Sequence, residues 1–178
     1  MTRTLPLLLL SAALTGCSMK TARFVPYASG PARFSAEVPE DWTAIENPAG
    51  DVPGVQFLAP PEKGRKAVRP YISVDFYARD SRQPSLEAYL AQQTRERPGR
   101  SAGAVGERPV GSGTAKEFTA TQPLPQSPEF APNGTLTVRT LLLPAASGFY
   151  ELCYAAAEPD APAPAAAFQR FLASFRAR

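Results

Sequence analysis

The sequence predicts an α+β domain built on an antiparallel sheet and two helices. Short segments in which apolar and polar residues alternate recur along the chain, which is typical of strands with one buried face. Two of the longest follow one another across a short loop and predict an antiparallel hairpin. Two other segments repeat apolar residues at helical spacing.

The chain opens with an export signal. Arg3 precedes an apolar run over residues 5–14, which is about half the length that a membrane-spanning helix needs. The run ends in Leu14-Thr15-Gly16-Cys17, which resembles the bacterial lipobox. This resemblance implies cleavage between Gly16 and Cys17 and attachment of lipid to Cys17. An ordinary signal peptide with a chance cysteine, or a buried apolar helix, is the alternative.

Lipidation at Cys17 would make the membrane a partner of the chain. Two or three acyl chains hold a protein on a bilayer, because each buried methylene contributes about 0.8 kcal/mol. Ser18 stands where lipoproteins kept in the inner membrane commonly carry Asp, so we expect the periplasmic face of the outer membrane. Residues 1–16 are therefore the signal peptide, 17–32 a lipidated tether without apolar period, and 33–178 a single domain.

Three strands are predicted in the first half of the domain. Phe34, Ala36 and Val38 alternate with polar residues, and the turn that follows leads Trp42 back toward the core. Residues 55–58 form a second candidate strand, and residues 71–77 a third. Both faces of the third carry bulky side chains, so both are expected to be covered.

A helix is predicted to begin after Ser85. The Ser85 side chain suits the N-cap position, and Leu86, Tyr89 and Leu90 share one side. This helix must end before Pro98-Gly99. The glycine-rich stretch after it contains a pairing segment around residues 105–110, and residues 114–121 alternate again as a strand.

A proline-rich loop over residues 122–132 is longer than a hairpin needs. It carries four prolines and the apolar residues Leu124 and Phe130 before closing on Asn133-Gly134. Stiff proline-rich backbone loses little entropy on binding, so we predict a protein partner in the envelope that contacts Leu124 and Phe130. A variable surface loop with no role is the alternative.

The carboxy-terminal third is predicted to hold the hairpin and a final helix. The hairpin strands are residues 135–143 and 149–156, joined by a five-residue loop. From residue 165 onward, Phe168, Phe171, Leu172 and Phe175 recur at helical spacing. We expect this stripe, together with Trp42, to lie in the core.

The residue types exclude most enzyme classes. The chain contains no histidine, which removes Ser-His-Asp triads, Cys-His pairs and histidine zinc sites. Of its two cysteines, Cys153 has no partner if Cys17 carries lipid, and it is predicted to pack as a small apolar residue. We therefore expect no metal, no cofactor and no enzymatic activity.

The net charge of +3 rests on a small excess of basic residues. They gather near residues 63–69 and again at Arg95, Arg97 and Arg100, where we predict a solvated loop and a helix end. Because the protein is predicted to be exported, we expect no nucleic-acid partner. The alternative for these basic residues is contact with anionic lipid or lipopolysaccharide.

Four polar residues on the middle strands are the candidates for chemistry, namely Asp75, Tyr77, Arg139 and Glu151. Lining a cleft, they would support a carboxylate-based enzyme or a small-ligand carrier. The alternative is structural pairing of carboxylates with Arg139 on a covered sheet face.

The order of these elements resembles the PsbP-like proteins, a family that includes the DcrB-like lipoproteins. The resemblance is carried by Phe34-Ser35-Ala36-Glu37-Val38-Pro39-Glu40-Asp41-Trp42, by Ser85-Leu86-Glu87-Ala88-Tyr89-Leu90, by the hairpin around Tyr150 and by Phe171-Leu172-Ala173-Ser174-Phe175. It implies an antiparallel sheet with helices on both faces, an α/β/α sandwich that serves as a binding or accessory module. The metal sites of the photosynthetic members have no matching residues here. We therefore expect a non-enzymatic, membrane-anchored module of the cell envelope.

Overall fold

The computed structural model describes residues 22–48, 51–61, 68–79, 85–111, 113–124, 134–157 and 162–178. The predicted signal peptide, Gly16, Cys17 and Phe130 lie outside these ranges. Eleven strands and two helices follow in the order β1 (Phe24–Ser29), β2 (Phe34–Pro39), β3 (Thr43–Asn47), β4 (Gly54–Leu58), β5 (Tyr71–Ala78), α1 (Leu86–Thr94), β6 (Ser101–Ala102), β7 (Gly106–Val110), β8 (Gly113–Pro123), β9 (Thr135–Ala145), β10 (Gly148–Ala157), α2 (Pro162–Ser174) and β11 (Arg176–Ala177).

The strands form two sheets in which every described pair is antiparallel. The larger has the order β3-β4-β5-β10-β9-β8-β6, and β7 also pairs with β8. The smaller has the order β1-β2-β11. The predicted combination of a mostly antiparallel sheet with two helices is confirmed. Among the described residues, neither helix has the length and apolar character needed to cross a membrane.

The predicted tether ends earlier than residue 32. Phe24–Ser29 forms β1 and pairs along its whole length with β2. The sequence pattern missed this strand because Pro26 interrupts it and its side chains are mostly half-buried or exposed. The folded domain therefore begins before residue 33.

One face of the larger sheet, which we call the α2 face, carries the main core. It presents alternate residues of β4, β5 and β10, such as Phe57, Val74 and Leu152, all buried. Phe168, Phe171, Leu172 and Phe175 belong to the same cluster and are almost completely buried. The prediction that this stripe faces the core is confirmed.

Aromatic contacts link α2 to both sheets. Phe171 lies 6.3 Å from Phe34 of β2 and 6.1 Å from Phe57 of β4, measured between ring centroids. Phe175, just beyond the helix, stacks on Phe34 at 5.4 Å. Phe168 stacks on Tyr154 of β10 at 5.6 Å. α2 thus joins the smaller sheet to the larger one, and the Tyr27 ring of β1 also contacts the Phe57 ring of β4 directly, at 4.9 Å between centroids.

The end of α2 is fixed by a serine that the sequence pattern did not single out. The Ser174 hydroxyl accepts a bond from the Glu37 backbone N–H at 2.8 Å. It also lies 3.0 Å from the carbonyls of Arg170 and Phe171, to which it can donate.

The position of Trp42 differs from the prediction that it lies in the core. Trp42 is half-buried and packs at the margin of the core.

The opposite face of the larger sheet, which we call the α1 face, carries a smaller core. Tyr89 packs with Leu142 and Phe149, and Leu86 and Leu90 lie against this cluster. The Ser85 side chain accepts a bond from the Ala88 N–H at 3.3 Å, as predicted for the N-cap. Helix α1 ends at Thr94, before Pro98-Gly99.

The β9–β10 hairpin is tighter than predicted. Its strands reach Ala145 and Gly148, so residues 146–147 alone form the turn. Gly148 has φ +153°, and a Cβ at this position would lie 1.9 Å from the Tyr77 carbonyl oxygen. Glycine is required here because β5 approaches the turn so closely.

Replacing Phe171 by Ala tests the packing of α2. Truncation of a fully buried phenylalanine leaves a cavity, so Phe171→Ala should lower the free energy of unfolding by about 3–5 kcal/mol. Urea unfolding followed by circular dichroism measures this. Gln169→Ala, on the exposed side of the same helix, should change it by less than about 0.5 kcal/mol. Equal stability of the two variants would contradict the packing.

Candidate functional site

Three of the four candidate residues come together on the α1 face. Asp75 and Tyr77 lie on β5, and Glu151 lies on β10 directly opposite Asp75. Because side chains alternate along a strand, all three point to the same side of the sheet. The structure therefore supports a polar cluster of Asp75, Tyr77 and Glu151.

Arg139 does not belong to this cluster. It pairs with Tyr154 in the sheet register, which places it on the α2 face. Its guanidinium forms an ion pair with Glu117 and lies 6.0 Å from the Phe168 ring centroid. Arg108 approaches Glu117 as well, at 3.6 Å. Arg139 is thus part of a structural ion-pair group at the margin of the main core.

Glu151 is held by two tyrosines. Its Oε2 accepts a bond from the Tyr89 hydroxyl at 2.7 Å and from the Tyr77 hydroxyl at 3.1 Å. Burial, and then the charge of Glu151, raise the pKa of both tyrosines well above the ordinary value, so both keep their protons. The site therefore presents Glu151 as a carboxylate whose Oε2 already accepts hydrogen bonds from inside the protein.

Asp75 is the least satisfied member of the cluster. Within the described ranges, no hydrogen bond joins its carboxyl group to another residue. Gly54 stands opposite Asp75 in β4, and a Cβ there would lie 2.2 Å from Asp75 Oδ1, so the absence of a side chain makes room for the carboxyl. Burial, and then the charge of Glu151, raise the pKa of Asp75 from 3.8 to about 6.

Cys153 lies on the same face, two residues beyond Glu151. Its Sγ is 3.5 Å from Thr140 Oγ1, and it forms no disulfide. Burial raises the pKa of the Cys153 thiol well above its ordinary value. The thiol stays protonated and is a poor nucleophile, which fits the predicted packing role.

The start of the proline-rich loop borders a surface groove of about 620 Å³. Leu124 is half-buried there, and its backbone N–H donates to the Gly134 carbonyl at 2.9 Å. Arg97 and Arg100 line the same groove. Arg97 donates to the Gln92 carbonyl at 2.9 Å and Arg100 to the Gln93 carbonyl, so both cap the end of α1. This part of the predicted helix-end assignment is confirmed.

A second cavity of about 340 Å³ lies between the start of α1 and the β9–β10 turn. Tyr77 and Phe149 belong to its lining, but Asp75 and Glu151 do not. In the described part of the chain, no group of three or more cysteine, aspartate or glutamate side chains is placed to hold a metal ion.

The sequence pattern did not reveal two residues that shape the cluster, Tyr89 and Gly54. Helical spacing placed Tyr89 on the apolar side of α1. It could not show that the Tyr89 hydroxyl reaches Glu151, because this contact depends on where α1 crosses the sheet. Gly54 precedes the predicted strand, and no sequence pattern marked it. Its role of leaving room for the Asp75 carboxyl depends on the register of β4 on β5.

No protein-family model matches the chain, and no curated protein matches it in sequence. Solved structures do match. A protein from Bacteroides thetaiotaomicron VPI-5482 is 12% identical with a TM-score of 0.58, over 86% of this chain and 48% of that one. The chain therefore spans about half the length of the Bacteroides protein.

Two smaller proteins match over most of their length. LpqN of Mycobacterium tuberculosis, described as involved in cell envelope biogenesis, is 13% identical with a TM-score of 0.53, over 86% of this chain and 89% of LpqN. The cyanobacterial PsbP protein of Synechocystis sp. PCC 6803, CyanoP, is 12% identical with a TM-score of 0.52, over 93% of this chain and 99% of CyanoP. The chain has a PsbP-like fold. At these identities the likeness concerns the fold, and membership of the DcrB-like family stays a prediction.

The raised pKa of Asp75 predicts how its replacement depends on pH. The folded protein keeps the Asp75 proton up to about pH 6, whereas the unfolded chain releases it near 3.8, so the free energy of unfolding falls as pH rises through this window. Asn has no proton to release, so Asp75→Asn avoids this fall in the free energy of unfolding. Relative to the wild type, the variant should therefore be more stable at pH 7 than at pH 4. Since the carboxyl is partly exposed, the difference should be about 1–2 kcal/mol.

Urea unfolding of Asp75→Asn and wild type at both pH values measures this difference. Asp41→Asn, a change on an exposed aspartate outside the sheet, serves as the control and should behave alike at both pH values. A difference for Asp75→Asn that does not depend on pH would show that the cluster does not hold the Asp75 proton.

Proposed function

We propose that the protein is a lipid-anchored, non-enzymatic accessory module of the cell envelope that binds a protein partner. The membrane anchor is the lipid on Cys17, added after cleavage behind Gly16. The folded domain then stands on the periplasmic side of the outer membrane, for which Ser18 in place of Asp is the sequence argument.

The anchor is supported by the order of the signals in the leader. A basic start, a short apolar run and Leu14-Thr15-Gly16-Cys17 stand in the sequence that lipoprotein processing requires. A fold shared with LpqN, which is described as involved in cell envelope biogenesis, agrees with that location. Cys153 lies on the sheet, so it is not a substitute lipidation site.

One observation carries the non-enzymatic role, namely that three of the four polar residues available for chemistry, Tyr77, Glu151 and Arg139, are engaged within the protein. Glu151 accepts bonds from Tyr77 and Tyr89, and Arg139 is paired with Glu117. A general base must lie within hydrogen-bond reach of a substrate, and the hydroxyl groups of Tyr77 and Tyr89 already occupy Glu151 Oε2 from inside the protein. The cluster serves to tie α1 to the sheet through Tyr89.

The proposed partner contact begins at Leu124, where the proline-rich loop leaves β8. Leu124 is half-buried at the edge of an open groove. A partner that covered this groove would contact Leu124. Phe130, the other residue of the predicted contact, lies outside the described residues.

The alternative function, a small-ligand carrier or a carboxylate-based enzyme, is favoured by Asp75 alone. A carboxyl group with a pKa of about 6 can exchange a proton near neutral pH. Asp75 has no hydrogen-bond partner among the described residues, in contrast to Glu151. Such a function would require a ligand to reach the sheet face between Asp75 and Cys153.

Replacing Cys17 tests the anchor. Cys17→Ala should prevent cleavage of the leader and abolish labelling by a fatty-acid analogue, because no thiol remains at the processing site. The protein should then leave the outer-membrane fraction. In-gel detection of the label, together with membrane fractionation, measures both effects.

Cys153→Ala is the matched control, since it removes the only other cysteine of the chain. It should be cleaved, labelled and localised like the wild type. Labelling that persists in Cys17→Ala, or that is lost in Cys153→Ala, would place the lipid elsewhere and refute the proposed anchor.

A further inference from the structure

We propose that the free edge of β3 is a docking site for an extended segment of a partner protein, one that alternates apolar with basic residues. The segment would add to the larger sheet as a further strand. This inference rests on the proposed binding role, but it uses a surface separate from Leu124, because β3 and β8 lie toward opposite ends of the larger sheet.

β3 differs from the other sheet edges that the described residues form. Edge strands attract further strands, and natural proteins blunt them with proline or keep them very short. β1 has Pro26 in its middle, and β7 carries Pro109. β6 and β11 have two residues each. β3 has five residues and no proline, so it alone among these edges lacks such protection.

The β3 edge is open to solvent. All five of its residues are exposed, and the Ile45 side chain is 49% exposed. Its inner side pairs with β4, and no strand formed by the described residues lies beside the backbone groups on its outer side. A strand laid along this edge would satisfy those groups and cover Ile45 at the same time.

The two faces of β3 require different side chains in a partner strand. Ile45 and Glu46 are neighbours in the strand, so they point to opposite faces of the sheet. An incoming strand therefore needs an apolar residue on the Ile45 side and a basic residue on the Glu46 side. Alternation at period two meets both requirements.

The acidic residues around β3 also favour a basic segment. Residues 40–48 contain Glu40, Asp41 and Glu46 and no lysine or arginine. Glu40 is paired with Arg23 at 3.3 Å, whereas Asp41 and Glu46 are exposed without a cation beside them among the described residues. Glu46 is positioned by a hydrogen bond from the Tyr27 hydroxyl.

The same charges disfavour a second copy of this chain as the occupant. Antiparallel self-pairing centred on Ile45 would place Glu46 of one copy diagonally across from Glu46 of the other. Long side chains at this diagonal spacing are within reach of each other, so the two Glu46 carboxylates would repel. The partner is therefore a different, basic chain.

Trp42 provides a signal for binding at this edge. It is the only tryptophan of the chain, it directly precedes β3, and it is half-buried at the core margin. A strand added to β3 should alter its surroundings and hence its fluorescence.

The test uses the full-length protein in detergent and the synthetic peptide Lys-Val-Lys-Val-Lys-Val-Lys. Titration should give a saturable change in Trp42 fluorescence. The same peptide methylated on alternate backbone nitrogens keeps its charge but loses main-chain donors, so it should bind at least about tenfold more weakly. The corresponding Glu-Val peptide should not bind.

Two variants locate the site. Ile45→Lys should weaken binding of the Lys-Val peptide by at least about tenfold, since it removes the apolar contact and adds a like charge. Val105→Lys is the matched control, because Val105 is 43% exposed and lies near the protected edge. It should bind like the wild type. Glu46→Lys should lose the Lys-Val peptide and gain the Glu-Val peptide.

Three results would overturn the inference. Equal binding of the methylated peptide would show that charge attraction, and not strand addition, accounts for the interaction. A wild-type dimer that Ile45→Lys converts to a monomer in analytical ultracentrifugation would make a second copy the occupant. Absence of peptide binding, while Cys17 still carries lipid, would refute the β3 site and leave the proposed anchor intact.

Discussion

The contact of α2 with both sheets is the interaction on which the rest of the structure depends. The smaller sheet has only three strands, one of them with two residues, and could not bury its inner face alone. Phe171 supplies the missing surface by packing between Phe34 and Phe57, and Phe175 stacks on Phe34 from the chain end. The carboxy-terminal residues thus close a core that begins with the first described strands, and this joins the two ends of the described domain into one folded unit.

Because the main core lies on the α2 face, the α1 face can carry polar residues. There, the carboxylate of Glu151 ties β10 to α1 through Tyr89, and Gly54 leaves space in which Asp75 stays without a partner among the described residues. The Tyr89–Glu151 hydrogen bond stabilises the attachment of α1 to the sheet. The surface that stays open is instead backbone, along β3. The proposed binding role rests on this unprotected sheet edge beside a filled core, and not on the chemistry of the polar cluster.

Periodicity predicted the elements with one buried face, because burial imposes the pattern. β2, β5, α1 and the Phe168–Phe175 stripe were found this way. β3 has no buried residue and hence no pattern, and Pro26 concealed β1. Arg139 was grouped with Glu151 because both lie on the hairpin, but the face of a residue depends on register, and the register places Arg139 opposite Tyr154. The Asp75 environment likewise required the pairing of β5 with both β4 and β10.

Native-state hydrogen exchange, read by mass spectrometry, tests most directly whether α2 unites the two sheets. If it does, the amides of α2, β2 and β10 should exchange only through global unfolding, with one shared free energy, while the exposed β3 exchanges faster. Exchange of α2 and β2 by a local opening, at a free energy several kcal/mol below that of β5 and β10, would contradict it and show that the smaller sheet and α2 form a separate unit.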